Sequence, residues 1–153
     1  KRAIGLEELG HKINSSNVGL VEVHGLHFVK KQRVAQLKND EFLKIYSAKC
    51  ECEDRVDFVM LQKLLGQKFD IVQRTPQRVE KRRVDKERAK SAEITKAEQI
   101  SEKTFSVEIL ASHGLYIKEL ISGDNGRTNP SISSLLGKKC MCKELDVLEI
   151  ILP

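Results

Sequence analysis

TFSVEILASHGLYIKELISGDNGRTNPSISSLL, Thr104 to Leu136, contains a complete change of structural period. Apolar residues alternate through TFSVEILAS, which predicts a half-buried strand over Thr104–Ser112. His113-Gly114 then permits a sharp turn, because glycine has no side chain to bar unusual backbone angles. From residue 115 the spacing becomes helical, with Ile117, Leu120 and Ile121 able to pack on a sheet, and predicts a helix over 115–122. Gly123 to Pro130 is a run of turn formers, followed by a turn of helix near Ile132.

Outward from this stretch the elements stay mixed. LEELGHKINSS, from Leu6, has helical spacing, and VGLVEVHGLHFV, Val18 to Val29, alternates as a strand does. A short helix is expected over Gln32–Leu37 and a second strand over Phe42–Cys52. VDFVMLQKLLGQ, from Val56, is amphipathic and stops at Gly66. Phe69–Gln73 reads as a short strand ended by Pro76, and Lys139–Leu152 as a final strand. Between Arg78 and Ile94 the β-branched residues are too sparse to choose between strand, hairpin and helix. Strands and helices intermingle without strict βαβ alternation, so the expected class is α+β with a mainly antiparallel sheet and flanking helices.

The 153 residues suit one domain, and 40% apolar content suffices for a core. Net charge is +5, and it is local: RTPQRVEKRRVDKERAK, Arg74 to Lys90, has eight basic and three acidic side chains, so the remainder sums to zero. Such a strip favours an anionic partner, although a charge run is commonly only a solvated face. Without an initiator Met, a signal peptide or an apolar run of membrane-spanning length, the chain reads as a soluble fragment with no membrane partner.

Four cysteines form two Cys-x-Cys pairs, Cys50/Cys52 and Cys140/Cys142. Zinc knuckles usually space their thiols further apart and no histidine lies near, so no metal site is assigned, though metal and disulfide remain alternatives. Both pairs lie in alternating segments, KIYSAKCEC and KKCMCKELDVLEI, where i and i+2 share a face. Buried free thiols are therefore expected, and they fit a reducing, intracellular compartment.

Lys118 carries the first functional signal. A cation in the first turn of a helix opposes the helix dipole, so a carboxylate from elsewhere should hold it; the plainer alternative is a surface lysine. In GDNGRTNP, Arg127 and Thr128 can donate to a phosphate or to nearby loop carbonyls, and Asp124 can brace the loop. Arg74, Arg78, Lys81, Arg82 and Arg83 have the composition to bind RNA phosphates. With 5% aromatic residues there is no broad stacking platform, so recognition of a folded RNA's shape fits better.

The segment GLYIKEL resembles the strand-turn-helix motif of pseudouridine synthases, Gly-x-Tyr-Ile-Arg/Lys. The resemblance is closer to one branch, the archaeal and eukaryotic tRNA pseudouridine synthase family called Pus ten. Its motifs occur here in order: KIYSA (Lys44–Ala48), QRTPQRVEKRR (Gln73–Arg83), GLYIKE (Gly114–Glu119), GDNGRTNP (Gly123–Pro130) and ELDV (Glu144–Val147). ELGHKIN (Glu8–Asn14) fits more loosely.

That resemblance implies cofactor-free isomerisation of uridine in the T arm of tRNA, inside the cell, in cytoplasm or nucleus. It implies that Lys118 pairs with the catalytic aspartate, that Tyr46 stacks on the base, that Tyr116 is a second ring lining the pocket, and that Leu135 is its apolar floor. Tyr46 as a half-buried strand residue and Leu135 as core are the plainer alternatives. The aspartate belongs to a Gly-Arg-Glu-Asp-type motif expected before residue 1. Asp57 and Asp85 each follow Arg-Val but lack the glycine-rich context. The chain is therefore expected to be the C-terminal part of a catalytic domain, inactive alone and without the family's amino-terminal accessory domain. A non-catalytic RNA-binding module is the competing reading, and a small metal-organised domain a further one.

Overall fold

The computed structural model describes residues 4–152. The chain divides into two compact units, Lys1–Asp40 and Glu41–Pro153. The first contains α1 (Leu6–Ser16) and α2 (Lys31–Asn39). The strand expected over Val18–Val29 is absent, a correction with a local cause. Residues after α1 enter a turn, with Leu20 and Val21 both donating to the Asn17 carbonyl. Asn14 then takes the polar groups that a neighbouring strand would have used: its Nδ2 donates to Val23 O at 3.0 Å and its Oδ1 accepts from Val23 N at 2.8 Å. Alternation marks a strand only where a partner strand exists to pair with it.

The second unit is built on one antiparallel sheet of six strands in the order β5-β2-β3-β4-β1-β6. The strands are β1 (Leu43–Cys52), β2 (Lys68–Arg74), β3 (Glu87–Gln99), β4 (Thr104–Ala111), β5 (Thr128–Asn129) and β6 (Cys140–Ile151). Three short helices accompany them: α3 (Phe58–Lys63), α4 (Ile117–Ser122) and α5 (Ile132–Leu136). This is the α+β class that the mixed periodicities implied. The undecided stretch 78–94 splits between a 3₁₀ turn at Gln77–Arg82 and the start of β3.

One sheet face carries the core. β4 buries Phe105, Val107, Ile109 and Ala111 at alternate positions. The register sets Ala48 of β1 opposite Val107 and Cys50 opposite Phe105. Ile117, Leu120 and Ile121 of α4, with Ile132 and Leu136 of α5, complete the same cluster. At about 25 cal/mol per Å2 of buried apolar surface, these side chains are the main force fixing both helices to the sheet.

The cysteines require a second correction. Each pair shares a face, as the alternation implied, but Cys52 and Cys140 are joined in a disulfide and only Cys50 and Cys142 remain thiols. β1 and β6 are adjacent, in a register that sets Cys52 opposite Cys140 with their Cα atoms 4.0 Å apart. Periodicity within one strand holds no information about which strand becomes its neighbour.

Candidate active site and nucleic-acid interface

β4 delivers the chain to the site. Ser112 N bonds Ser91 O at 2.9 Å, Gly114 adopts φ +72°, and Lys90 Nζ donates to His113 O at 2.6 Å. α4 starts at Ile117, so Tyr116 is its N-cap residue and Lys118 its second residue. No side chain of Tyr116 caps the helix. Gln73, 3% exposed at an inward position of β2, brackets the Tyr116 backbone instead. Its Oε1 accepts from Tyr116 N at 2.8 Å and its Nε2 donates to Tyr116 O and Thr128 Oγ1, each at 3.1 Å.

The Tyr116 ring is held from outside. Arg78 lies over it, with the guanidinium carbon 5.5 Å from the ring centroid. Arg78 Nε donates to Glu119 Oε1 at 2.6 Å, and the Glu119 side chain is only 6% exposed. This hydrogen bond holds the guanidinium firmly in its charged form. Gln73 and Glu119 were not singled out in the sequence. Their signal was a polar residue in an apolar phase: Gln73 follows Phe69 and Ile71 with period two, and Glu119 sits between Ile117 and Leu120.

Lys118 is exposed, and among the described residues no carboxylate forms an ion pair with it. Its charge reaches Cys142 on β6; burial pushes that thiol's pKa up while the lysine pulls it down. Cys142 pairs with Cys50, two inward positions along β1 from Tyr46. Tyr46 thus shares the sheet face on which α4 rests. It is half-buried, and burial raises its phenol pKa. Leu135 is half-buried on α5, beside core residue Leu136.

The basic segment closes into a loop. Thr75 Oγ1 donates to Val84 O at 2.7 Å and accepts from Lys86 N at 3.2 Å. Arg74 grips Asp85 with contacts of 2.6 to 3.0 Å. Arg127 joins the same carboxylate at 2.9 Å and donates from Nε and Nη2 to Thr75 O. Asp124 Oδ2 accepts from Gln77 N at 3.0 Å, so the GDNGRTNP turn is fastened to the loop's base. Thr128 is buried beneath it. Lys81, Arg82 and Arg83 lie at the exposed tip, with no ion pair among the described residues. The structure therefore divides the seven basic and hydroxyl candidates: Arg74, Arg78, Arg127 and Thr128 have internal partners, and the three tip residues do not.

Arg74 and Arg127 hold the Asp85 carboxyl below its usual pKa, hydrogen bonding from Arg74 being the larger cause. A lowered folded-state pKa means the clamp contributes fully above about pH 3.9, the ordinary aspartate value, and is lost as pH falls through the folded value. A carbon-13 NMR titration of Asp85 is expected to give a midpoint below about 3.9. A midpoint at or above that value would show that the clamp is not formed.

The sequence model of the family described as "Pus10, C-terminal" matches residues 2–151. The chain belongs to this family. It is 45% identical over 153 residues to the tRNA pseudouridine synthase Pus10 of Methanocaldococcus jannaschii, covering 97% of this chain and 33% of that protein. It is 41% identical to the Pus10 of Korarchaeum cryptofilum (98% of this chain, 41% of that protein) and 38% identical to that of Pyrococcus furiosus (99% and 39%). The chain thus spans a third to two fifths of the length of these curated Pus10 relatives.

Proposed function

We propose that this chain is the C-terminal part of the catalytic domain of a tRNA pseudouridine synthase, acting on uridine in the T arm. The observation that carries this reading is Lys118: a cation in the first turn of α4, with no carboxylate partner among the described residues, on a helix packed over the sheet face that bears Tyr46. The reaction breaks a C–N glycosidic bond, turns the uracil and rejoins it through carbon. An aspartate aimed at the ribose needs a cation to hold it ionised and oriented, and in this reading Lys118 is that cation. Tyr46 and Tyr116 offer faces against which a detached base can turn, and Leu135 would close the floor. No cofactor is required by this chemistry. No helix of the described residues is long and apolar enough to cross a membrane. A tRNA substrate argues for action inside the cell, in cytoplasm or nucleus; the Cys52–Cys140 bridge removes the support that four free thiols would have lent.

RNA binding falls to the loop tip. Lys81, Arg82 and Arg83 have no ion pair among the described residues, while Arg74 and Arg127 brace the loop beneath them through Asp85. Full-length protein incubated with unmodified tRNA, and assayed by pseudouridine-specific chemistry, is expected to show conversion in the T arm. Binding without conversion would favour the RNA-binding module instead. Arg82→Ala with Arg83→Ala is expected to weaken tRNA binding and flatten the plot of log K against log salt by about 1.5, or about 0.7–0.9 per lost contact. An unchanged slope would mean that these arginines only decorate a solvated face.

A further inference from the structure

Glu119 presents a problem that the geometry solves. A carboxylate that is 5% exposed sits next in sequence to Lys118, the cation proposed to serve an aspartate. Left alone, a buried carboxylate would draw the nearest positive charge toward itself. Arg78 arrives from a segment 41 residues away and takes it, Nε donating at 2.6 Å and Nη2 at 3.4 Å. The same guanidinium lies over the Tyr116 ring. One planar cation therefore neutralises Glu119 and caps Tyr116, and an ammonium lacks the shape to do both. On its other side Tyr116 is fixed through its backbone by Gln73, so the residue is gripped at both main chain and ring.

We propose that Arg78 is a positioning residue for uridine isomerisation and not a phosphate contact: locked onto Glu119 and laid over Tyr116, it fixes that ring, two residues before Lys118 in the chain, and leaves the lysine's charge free for the catalytic aspartate. This rests on the pseudouridine synthase reading above. A ring that drifts, or a lysine diverted to Glu119, impairs the reacting geometry and leaves the grip on the tRNA unchanged. Arg78, with a half-exposed side chain, belongs to the same loop as Arg82 and Arg83, which is why sequence composition alone groups the three.

The test uses the full-length protein and four variants measured together: Arg78→Lys, Arg78→Met with Glu119→Gln, Arg82→Ala with Arg83→Ala, and Lys118→Met. The paired substitution avoids stranding a buried carboxylate, so it decides the matter where Arg78→Lys fails to fold. Each Arg78 variant is expected to lower kcat by about tenfold or more with KM for tRNA within about twofold and the salt slope unchanged. Arg82→Ala with Arg83→Ala should do the reverse, raising KM and flattening the slope. The proposal is overturned if the Arg78 variants keep kcat, or if they raise KM and reduce the slope by about 0.7–0.9 as a lost phosphate contact would. Lys118→Met separates the two levels of argument. If it leaves turnover normal, the underlying reading fails; if it abolishes turnover while the Arg78 variants remain normal, only the positioning role fails.

Discussion

Replacing Lys118 by methionine in the full-length protein is expected to cut turnover by about a thousandfold or more, with tRNA affinity within about twofold of the parent. Methionine keeps most of the length and all of the apolar reach of the lysine stem, so α4 should keep its packing. What disappears is a single positive charge. Lys118 is exposed, makes no ion pair among the described residues and is not counted in the core, so the fold has little use for that charge. An aspartate deprived of its cation loses both orientation and the bias toward its ionised form, and both losses fall on the reacting geometry. If ground-state binding rests on the loop tip, as proposed, it should persist, so kcat and kcat/KM fall together. Lys118→Arg should retain more activity than Lys118→Met, since it keeps a cation at the position. Single-turnover measurement at saturating enzyme reads the chemical step directly. Normal turnover in Lys118→Met would return this stretch to an ordinary surface helix.

The local pattern of the second unit was legible because its strands have neighbours. TFSVEILAS alternates and β4 alternates in burial; β1 does so from Ala48 to Cys52, whereas β6 is mostly exposed beyond Cys140, yet both strands lie within a residue or two of their expected bounds. The same pattern over Val18–Val29 misled, because the ladder groups of Val23 are satisfied by the Asn14 side chain. Pairing between distant segments was illegible throughout. Nothing near Cys52 says that Cys140 lies across from it. Nothing in the basic strip distinguishes Arg74 from Arg82, yet one binds Asp85 and the other projects from the tip. Motif order singles out Lys118, Tyr116 and Tyr46 as candidates, whereas the contacts of Gln73 and Glu119 with this segment become visible only once β2 and α4 are brought side by side. Charge composition marks a candidate surface; which charges remain free is decided by tertiary contacts.

Gly123→Ala is expected to destabilise the α4–α5 corner by about 2–3 kcal/mol, and two separable effects contribute. Gly123 closes α4 at φ +85°, where a residue with a side chain costs about 1–2 kcal/mol. An added Cβ would also stand 2.9 Å from Ser131 Oγ, too close for contact without movement. That oxygen is committed: it accepts from Ser134 N at 3.1 Å as the N-cap of α5, within a reciprocal box in which Ser134 Oγ accepts from Ser131 N. Displacing it forfeits roughly one N-cap, about 1 kcal/mol. Gly126 supplies the control, since it too has positive φ (+86°) but nothing within 4 Å of an added Cβ. Gly126→Ala should therefore show the backbone cost alone. Amide exchange at Leu120 and Leu135, which bond Tyr116 O and Ser131 O, reports opening of the two helices. Their exchange should accelerate by about 30-fold to 160-fold in Gly123→Ala, and by distinctly less in Gly126→Ala. In a Ser131→Ala background the Gly123→Ala cost should shrink by the capping share, because the clashing oxygen is gone. Strict additivity would show that the contact with Ser131 is not the cause. Since α4 carries Lys118, the same substitution should lower turnover even in molecules that remain folded, as a shift of about 1 Å in a positioned group can cost about a hundredfold.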